Sequence, residues 1–262
     1  MPFIHLSDGD LHYQLYGPQG APVLLLSNSL GTDLHMWDAQ IPAFIAHFQV
    51  LRYDTRGHGR SLVSEGPYSI EQNGHDVLAL LDALQLEQVS FCGLSMGGLI
   101  GQWLAINATE RFKRVVLCNT AAKIGSPQIW NPRIEGVLRD GVAGMQALRE
   151  ATIARWFTPE FVAAQPQQVE ALVNMLAQTS PQGYAANCAA VRDADFRAQL
   201  GSISLPVLVV SGAQDPVTTP ADGRYLVEQI TDAHYVELNA AHLSSVEAAA
   251  AFNERVLAFL TA

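Results

Sequence analysis

Residues 89–103 read Val89-Ser90-Phe91-Cys92-Gly93-Leu94-Ser95-Met96-Gly97-Gly98-Leu99-Ile100-Gly101-Gln102-Trp103. An apolar run leads into the pattern G-x-S-x-G at residues 93–97, and a helical pattern follows it. Strand, tight turn and helix are the context in which this pattern signals a nucleophile elbow. The turn forces Ser95 into a strained backbone conformation, and side chains at Gly93 or Gly97 would meet the adjoining strand and helix. Ser95 is thereby held clear of the sheet as a candidate nucleophile. The next amide, that of Met96, opens a helix whose N-terminus favours negative charge.

A serine hydroxyl needs a base to take its proton, and the base needs an orienting acid. In this architecture the order along the chain is Ser, then Asp or Glu, then His. Downstream of Ser95, residues 205–212 (Leu-Pro-Val-Leu-Val-Val-Ser-Gly) read as a buried parallel strand. It runs into Ala213-Gln214-Asp215-Pro216, which sets Asp215 just past the strand's carboxyl end. A further strand at residues 234–238 ends in Asn239-Ala240-Ala241-His242, ahead of a single C-terminal helix expected over residues 244–260. Ser95, Asp215 and His242 thus fall at carboxyl ends of strands, where open α/β sheets carry their sites.

Competing readings exist for the acid and the base. Asp215 before Pro216 also suits an Asx turn. Asp222 and Asp232 are rivals, but both fall on or after the following helix. His5, His12, His47, His75 and His234 read as surface or strand-face residues.

The chain has 262 residues, 49% of them hydrophobic, enough for a large core in one α/β unit. Net charge is −10 with only 15% charged residues, which argues against nucleic acid or an anionic membrane surface as partner. An anionic substrate must then be drawn by local arginines. The three cysteines, Cys92, Cys118 and Cys188, lack paired or metal-like spacing and read as buried free thiols. With no basic or long apolar leader at residues 1–5 and no membrane-length apolar run, the expectation is a cytoplasmic protein. No metal or organic cofactor is called for. A monomer and a small homo-oligomer fit the acidic composition equally well.

Along the chain, strands are expected at residues 3–6 and 11–16, joined by a turn at Asp8-Gly9-Asp10. Buried strands at residues 21–27 and 49–54 flank a helix over about residues 37–48. An amphipathic helix spans residues 69–84, with Ile70, Val77, Leu78, Leu81 and Leu84 on one face. After the elbow helix comes the strand Val115-Val116-Leu117-Cys118. Alternating strands and helices predict a mostly parallel central sheet flanked by helices. Residues 121–200 break the pattern: no strand-like run occurs, and helical segments are separated by Pro127, Pro132, Pro159, Pro166 and Pro181. The chain therefore divides into a core of residues 1–120 and 201–262 and an inserted all-helical cap of residues 121–200. An oxyanion hole needs a second amide beside Met96, and Leu30 in the loop Ser27-Asn28-Ser29-Leu30-Gly31-Thr32 is the candidate.

The stretch Tyr53-Asp54-Thr55-Arg56-Gly57-His58-Gly59-Arg60-Ser61, with the elbow and the strand-end Asp and His, resembles the α/β-hydrolase superfamily over nearly the whole chain. Where related hydrolases often carry His-Gly before the oxyanion residue, this chain has Asn28-Ser29. Three stretches in or beside the cap resemble 3-oxoadipate enol-lactonases: residues 119–125 (Asn-Thr-Ala-Ala-Lys-Ile-Gly), 154–159 (Ala-Arg-Trp-Phe-Thr-Pro) and 183–195 (Gly-Tyr-Ala-Ala-Asn-Cys-Ala-Ala-Val-Arg-Asp-Ala-Asp).

This resemblance implies a carboxylic ester hydrolase that opens 3-oxoadipate enol-lactone to 3-oxoadipate, in the β-ketoadipate route of aromatic catabolism. Its triad corresponds to Ser95, Asp215 and His242. Water and a small anionic lactone are the implied partners. The lactone's carboxylate calls for a cation, and Arg133 beside Trp130 is the preferred candidate, with Arg155 and Arg192 as alternatives. Trp156 is expected to line the pocket and Trp37 to sit in the core. Arg56 and His58 are expected to brace their loop rather than take part in catalysis. Two other readings stand beside this one. One is another cap-bearing carboxylesterase or a cofactor-free perhydrolase with the same triad. The other is a non-catalytic ligand-binding homologue.

Overall fold

The apolar runs of the sequence become the middle of one eight-stranded sheet. Its strands are β1 (Phe3–Leu6), β2 (Gly9–Tyr16), β3 (Val23–Ser27), β4 (Gln49–Tyr53), β5 (Val89–Leu94), β6 (Phe112–Cys118), β7 (Val207–Gly212) and β8 (Ala233–Leu238). The structure, a computed structural model, describes residues 2–262. The spatial order is β1-β2-β4-β3-β5-β6-β7-β8, with β1 and β2 antiparallel to their neighbours and the rest parallel. Strands β3, β5 and β7 are buried at every position, as expected for a sheet covered on both faces. Helix α2 (Ile70–Ala83) starts at Ser69, whose hydroxyl accepts from the Gln72 amide as an N-cap. Helix α3 (Met96–Asn107) follows the elbow, and α10 (Pro220–Gln229) connects β7 to β8.

Strand order reverses at β3: the chain passes to β4 on one side, then returns through α2 to β5 on the other. Such a reversal opens a crevice at the carboxyl ends of the strands. The loop after β3 and the elbow after β5 face each other across it, joined by the Gly97 amide donating to Asn28 O at 3.0 Å.

Between β6 and β7 lie six helices and, among the described residues, no strand: α4 (Pro127–Asp140), α5 (Val142–Ala147), α6 (Arg149–Trp156), α7 (Pro159–Ala164), α8 (Pro166–Gln178) and α9 (Pro181–Asp193). Pro127, Pro159, Pro166 and Pro181 each open a helix, the position where a missing N–H costs nothing. Pro132 does not separate helices; it lies inside α4.

Other local expectations shift as well. The helix expected over residues 37–48 is a 3₁₀ turn at Leu34–Trp37 followed by the four-residue α1 (Ile41–Phe44), which starts around Pro42. The first hairpin turns at Ser7-Asp8, because Gly9 and Asp10 already pair with Leu6 and His5. His12 is not a surface group: it is 1% exposed, and its Nδ1 lies 2.7 Å from Asp54 Oδ2. The C-terminal helix is broken into α11 (Ser244–Glu247) and α12 (Ala249–Leu260), with Ala248 at φ −115° and ψ 40° between them. The three cysteines are free and buried; the Cys92 and Cys118 sulfurs lie 3.7 Å apart on β5 and β6. Among the described residues, no helix is long and apolar enough to cross a membrane, and no cluster of His, Cys, Asp or Glu could hold a metal ion.

Candidate active site

Ser95 sits at φ +59°, a left-handed conformation that a serine adopts only under constraint. The neighbours supply it. The Ser95 amide donates to Cys118 O at 2.9 Å, and Thr120 Oγ1 donates to Ser95 O at 2.9 Å. A Cβ on Gly93 would stand 2.2 Å from Gly97 O, and one on Gly97 2.2 Å from Ser27 O. Only glycine at these two positions lets the turn close onto β3.

The loop after β3 is held as firmly. Asn28 Nδ2 donates to Tyr53 O at 2.8 Å, and Asn28 Oδ1 accepts from Trp37 Nε1 at 3.0 Å. Trp37 is therefore buried in the core and braces this loop from behind. His58 Nε2 accepts from the Gly31 amide at 2.9 Å, which puts the ring proton on Nδ1, toward Arg56 O at 3.3 Å. Burial lowers the His58 pKa to about 4, so the ring is neutral near pH 7 and stays an acceptor. Arg56 forms a two-pronged pair with Asp76 and a third bond to Asp8. Both residues thus have bracing contacts. The amides of Leu30 and Met96 have no protein acceptor among the described residues.

Asp215 and His242 meet from separate strand ends, with Asp215 Oδ2 2.8 Å from His242 Nδ1. The Asx turn and the histidine contact coexist because the two carboxylate oxygens divide the work. Oδ1 accepts from the Val217 and Thr218 amides, at 2.8 and 3.1 Å. Oδ2 accepts from His242, from Thr218 Oγ1 at 2.8 Å and from Asn119 Nδ2 at 2.9 Å. Burial pushes the Asp215 carboxyl up, but the His242 ring and these donors outweigh it and hold the pKa at about 2. The carboxylate therefore stays ionised, and a proton on His242 Nδ1 leaves Nε2 free as an acceptor.

Three residues around Asp215 escaped sequence reasoning. Asn119, at φ +42°, bonds both Asp215 and Ala241 O, and Ser244 Oγ donates to Asn119 Oδ1 at 2.5 Å. Thr218 completes the set. Asn119 had one available signal: it directly follows β6, at a strand carboxyl end beside β7.

Ser95 and His242 line one pocket with Ser29, Leu30, Ile124, Trp130, Arg133, Thr152, Arg155, Trp156, Leu176, Tyr184, Val191 and Val217. No hydrogen bond joins Ser95 to His242 among the described residues; catalytic bonds of this kind often tighten only with substrate bound. The cap supplies the roof. Trp130 donates Nε1 to Ile124 O at 2.8 Å, and the Arg133 guanidinium stacks on its ring, 4.8 Å from the centroid. Arg155 donates to Thr152 Oγ1 at 2.8 Å. Burial, and then the charge on Arg133, hold the Arg155 pKa below its ordinary value. Neither arginine has an acidic partner among the described residues. Arg192 lies outside this pocket, paired with Asp193 and Asn131, so the sequence alternative that gave it to the substrate is not met. The free space left between these side chains is about 40 Å³, room for a few waters.

A strained serine at a switch-point crevice, with an Asp-His pair across the pocket, is the arrangement of a serine hydrolase. The chain belongs to the alpha/beta hydrolase fold family, whose model matches residues 22–249. It is 49% identical to 3-oxoadipate enol-lactonase 2 of Acinetobacter baylyi, over 99% of this chain and 98% of that one. To 3-oxoadipate enol-lactonase 1 of the same organism it is 42% identical, over 90% of this chain and 88% of the relative. The crystal structure of the enol-lactonase from Burkholderia xenovorans LB400 superposes with a TM-score of 0.97 at 47% identity, covering all of both chains.

Proposed function

We propose that this enzyme hydrolyses 3-oxoadipate enol-lactone to 3-oxoadipate, a step of the β-ketoadipate pathway. The observation that carries this reading is the 49% identity to an enol-lactonase over 99% of the chain, cap included. Arg133 and Arg155, half-buried and without acidic partners among the described residues, line the cap side of the serine pocket and support it. An anionic ligand would supply the charge they lack.

In this reading residues 121–200 act as the substrate-selecting cap and the remainder as the catalytic core. Ser95 Oγ attacks the lactone carbonyl carbon while His242 Nε2 takes its proton, and Asp215 holds the imidazole tautomer and stabilises the imidazolium. The amides of Leu30 and Met96 receive the tetrahedral oxyanion, helped by the N-terminus of α3. Collapse breaks the ring carbon–oxygen bond. The leaving group is an enol, which takes the proton from His242 and tautomerises to the ketone, making ring closure unfavourable. Water then attacks the acyl carbon and gives a proton to His242, which passes it to Ser95 Oγ as the acyl–oxygen bond breaks; the product acid loses its remaining proton to solvent. Arg133 and Arg155 hold the substrate's carboxylate, between the Trp130 and Trp156 walls. The reaction needs no metal or organic cofactor. Unpaired buried thiols fit a reducing cytoplasm as its setting.

The test is loss of enol-lactone absorbance with wild type and Ser95→Ala, run beside an uncharged aryl ester. Fast lactone turnover that falls by about 10⁴-fold or more in Ser95→Ala, with weak ester hydrolysis, is expected. Fast ester turnover with the lactone untouched would sink the assignment.

A further inference from the structure

The break in the C-terminal helix has a partner 89 residues away. Glu247 ends α11, just before Ala248 leaves the helical conformation. Its carboxylate turns back and accepts from the Ala241 amide at 2.9 Å, from Thr158 Oγ1 and from the Thr158 amide at 3.3 Å. Thr158 is the N-cap of α7, where its Oγ1 accepts from the Phe161 amide. One carboxylate therefore ties the first turn of a cap helix to the loop that carries His242. A second tie runs alongside it, from the Leu243 amide to Trp156 O at 3.0 Å. Ala241 and Leu243 flank His242, so both backbone neighbours of the base are fixed with help from the cap segment 156–158.

Glu247 has no cationic partner among the described residues. A half-buried carboxylate spent on amides and a hydroxyl makes directional, charge-assisted bonds. We propose that Glu247 is a positioning residue for His242, which sets the seating of the cap and the alignment of the base together. This strap keeps the α6–α7 junction in register with His242. The inference rests on His242 acting as the base in the proposed reaction.

Glu247→Ala, Glu247→Gln and Thr158→Val test it, through kcat and KM for the enol-lactone and for an uncharged aryl ester. Proton NMR of the downfield His242 Nδ1–H resonance gives a readout independent of substrate. In Glu247→Ala, kcat should fall on both substrates by up to about 100-fold, the scale of a small displacement of a catalytic group. The Nδ1–H resonance should shift or broaden at the same time. Glu247→Gln should recover most of both, because its amide oxygen still accepts from Ala241. If Glu247→Ala fails to fold, Thr158→Val, which removes the cap half of the strap alone, should lower kcat in the same sense. A folded Glu247→Ala with unchanged kcat and resonance overturns the proposal, as does a glutamine variant no better than alanine. Absence of wild-type lactone turnover would instead overturn the substrate reading, leaving the resonance and the ester rates to judge the strap.

Discussion

The strand-end region and the cap roof meet in one pocket but are built on opposite principles. Around Asp215 every acceptor site is filled: five donors converge on one carboxylate, and the elbow backbone is pinned by Cys118, Thr120 and Asn28. Across the pocket, Arg133 and Arg155 are held by a tryptophan face and a threonine hydroxyl, and no carboxylate answers them. A saturated network holds reacting groups still, as catalysis requires. An unsaturated pair of cations stores binding capacity for a ligand that brings the missing charge. Under the proposed function, chemistry and selectivity fall to separate parts of the chain, and substitutions in each should fail differently.

The largest expected effect lies on the saturated side. Asp215→Asn should lower kcat by about 10⁴-fold with little change in KM, since the wrong imidazole tautomer disables the base. The same substitution carries a pH signature. The native Asp215 pKa of about 2 lies below the ordinary 3.8, so the unfolded chain takes up this proton first as pH falls. Wild-type stability should therefore drop by about 2 kcal/mol between roughly pH 4 and pH 2, a component absent from Asp215→Asn. Denaturant midpoints at pH 6 and pH 3 compare the two.

On the cap side the signature should reverse. Arg133→Met and Arg155→Met should each raise KM for the lactone about 10- to 100-fold, the worth of a hydrogen bond to a charged group, with kcat nearly preserved. An uncharged aryl ester should be almost indifferent to both. A cap variant that lowers kcat alone would break the division between the two regions.

The smallest effect belongs to the bracing layer. His58→Gln keeps an acceptor near the Gly31 amide and should cost roughly tenfold or less in kcat. It should also flatten the pH dependence of stability. His58 has a native pKa of about 4 against an ordinary 6.5, so stability falls as pH drops through that window, by about 3 kcal/mol in the wild type. Thermal melts at pH 7 and pH 5 read the difference.

Much of the molecule is legible in the sequence. The buried strands, the elbow and the amphipathic helix near residues 69–84 are local features, encoded by residues adjacent in sequence. Ser95, Asp215 and His242 could be picked out because strand ends are recognisable and the switch-point rule says where they gather. Misreadings arose where a local pattern was overruled by a distant contact. Residues 244–260 have an unbroken helical pattern, yet the helix breaks where Glu247 reaches the cap. His12 does lie on a strand, and only the contact with Asp54 shows that it is buried there and not at the surface.

The sequence by itself determined the fold family and picked out the candidate nucleophile, acid and base. Only the tertiary structure decided which residues hold those groups still and which arginine shares the pocket with Arg133. Asn119 and Asp215 are 96 positions apart, and Thr158 and Glu247 are 89 apart. Periodicity and turn chemistry report on neighbours within a few residues, whereas contacts at such separations exist only once the chain has closed around its core.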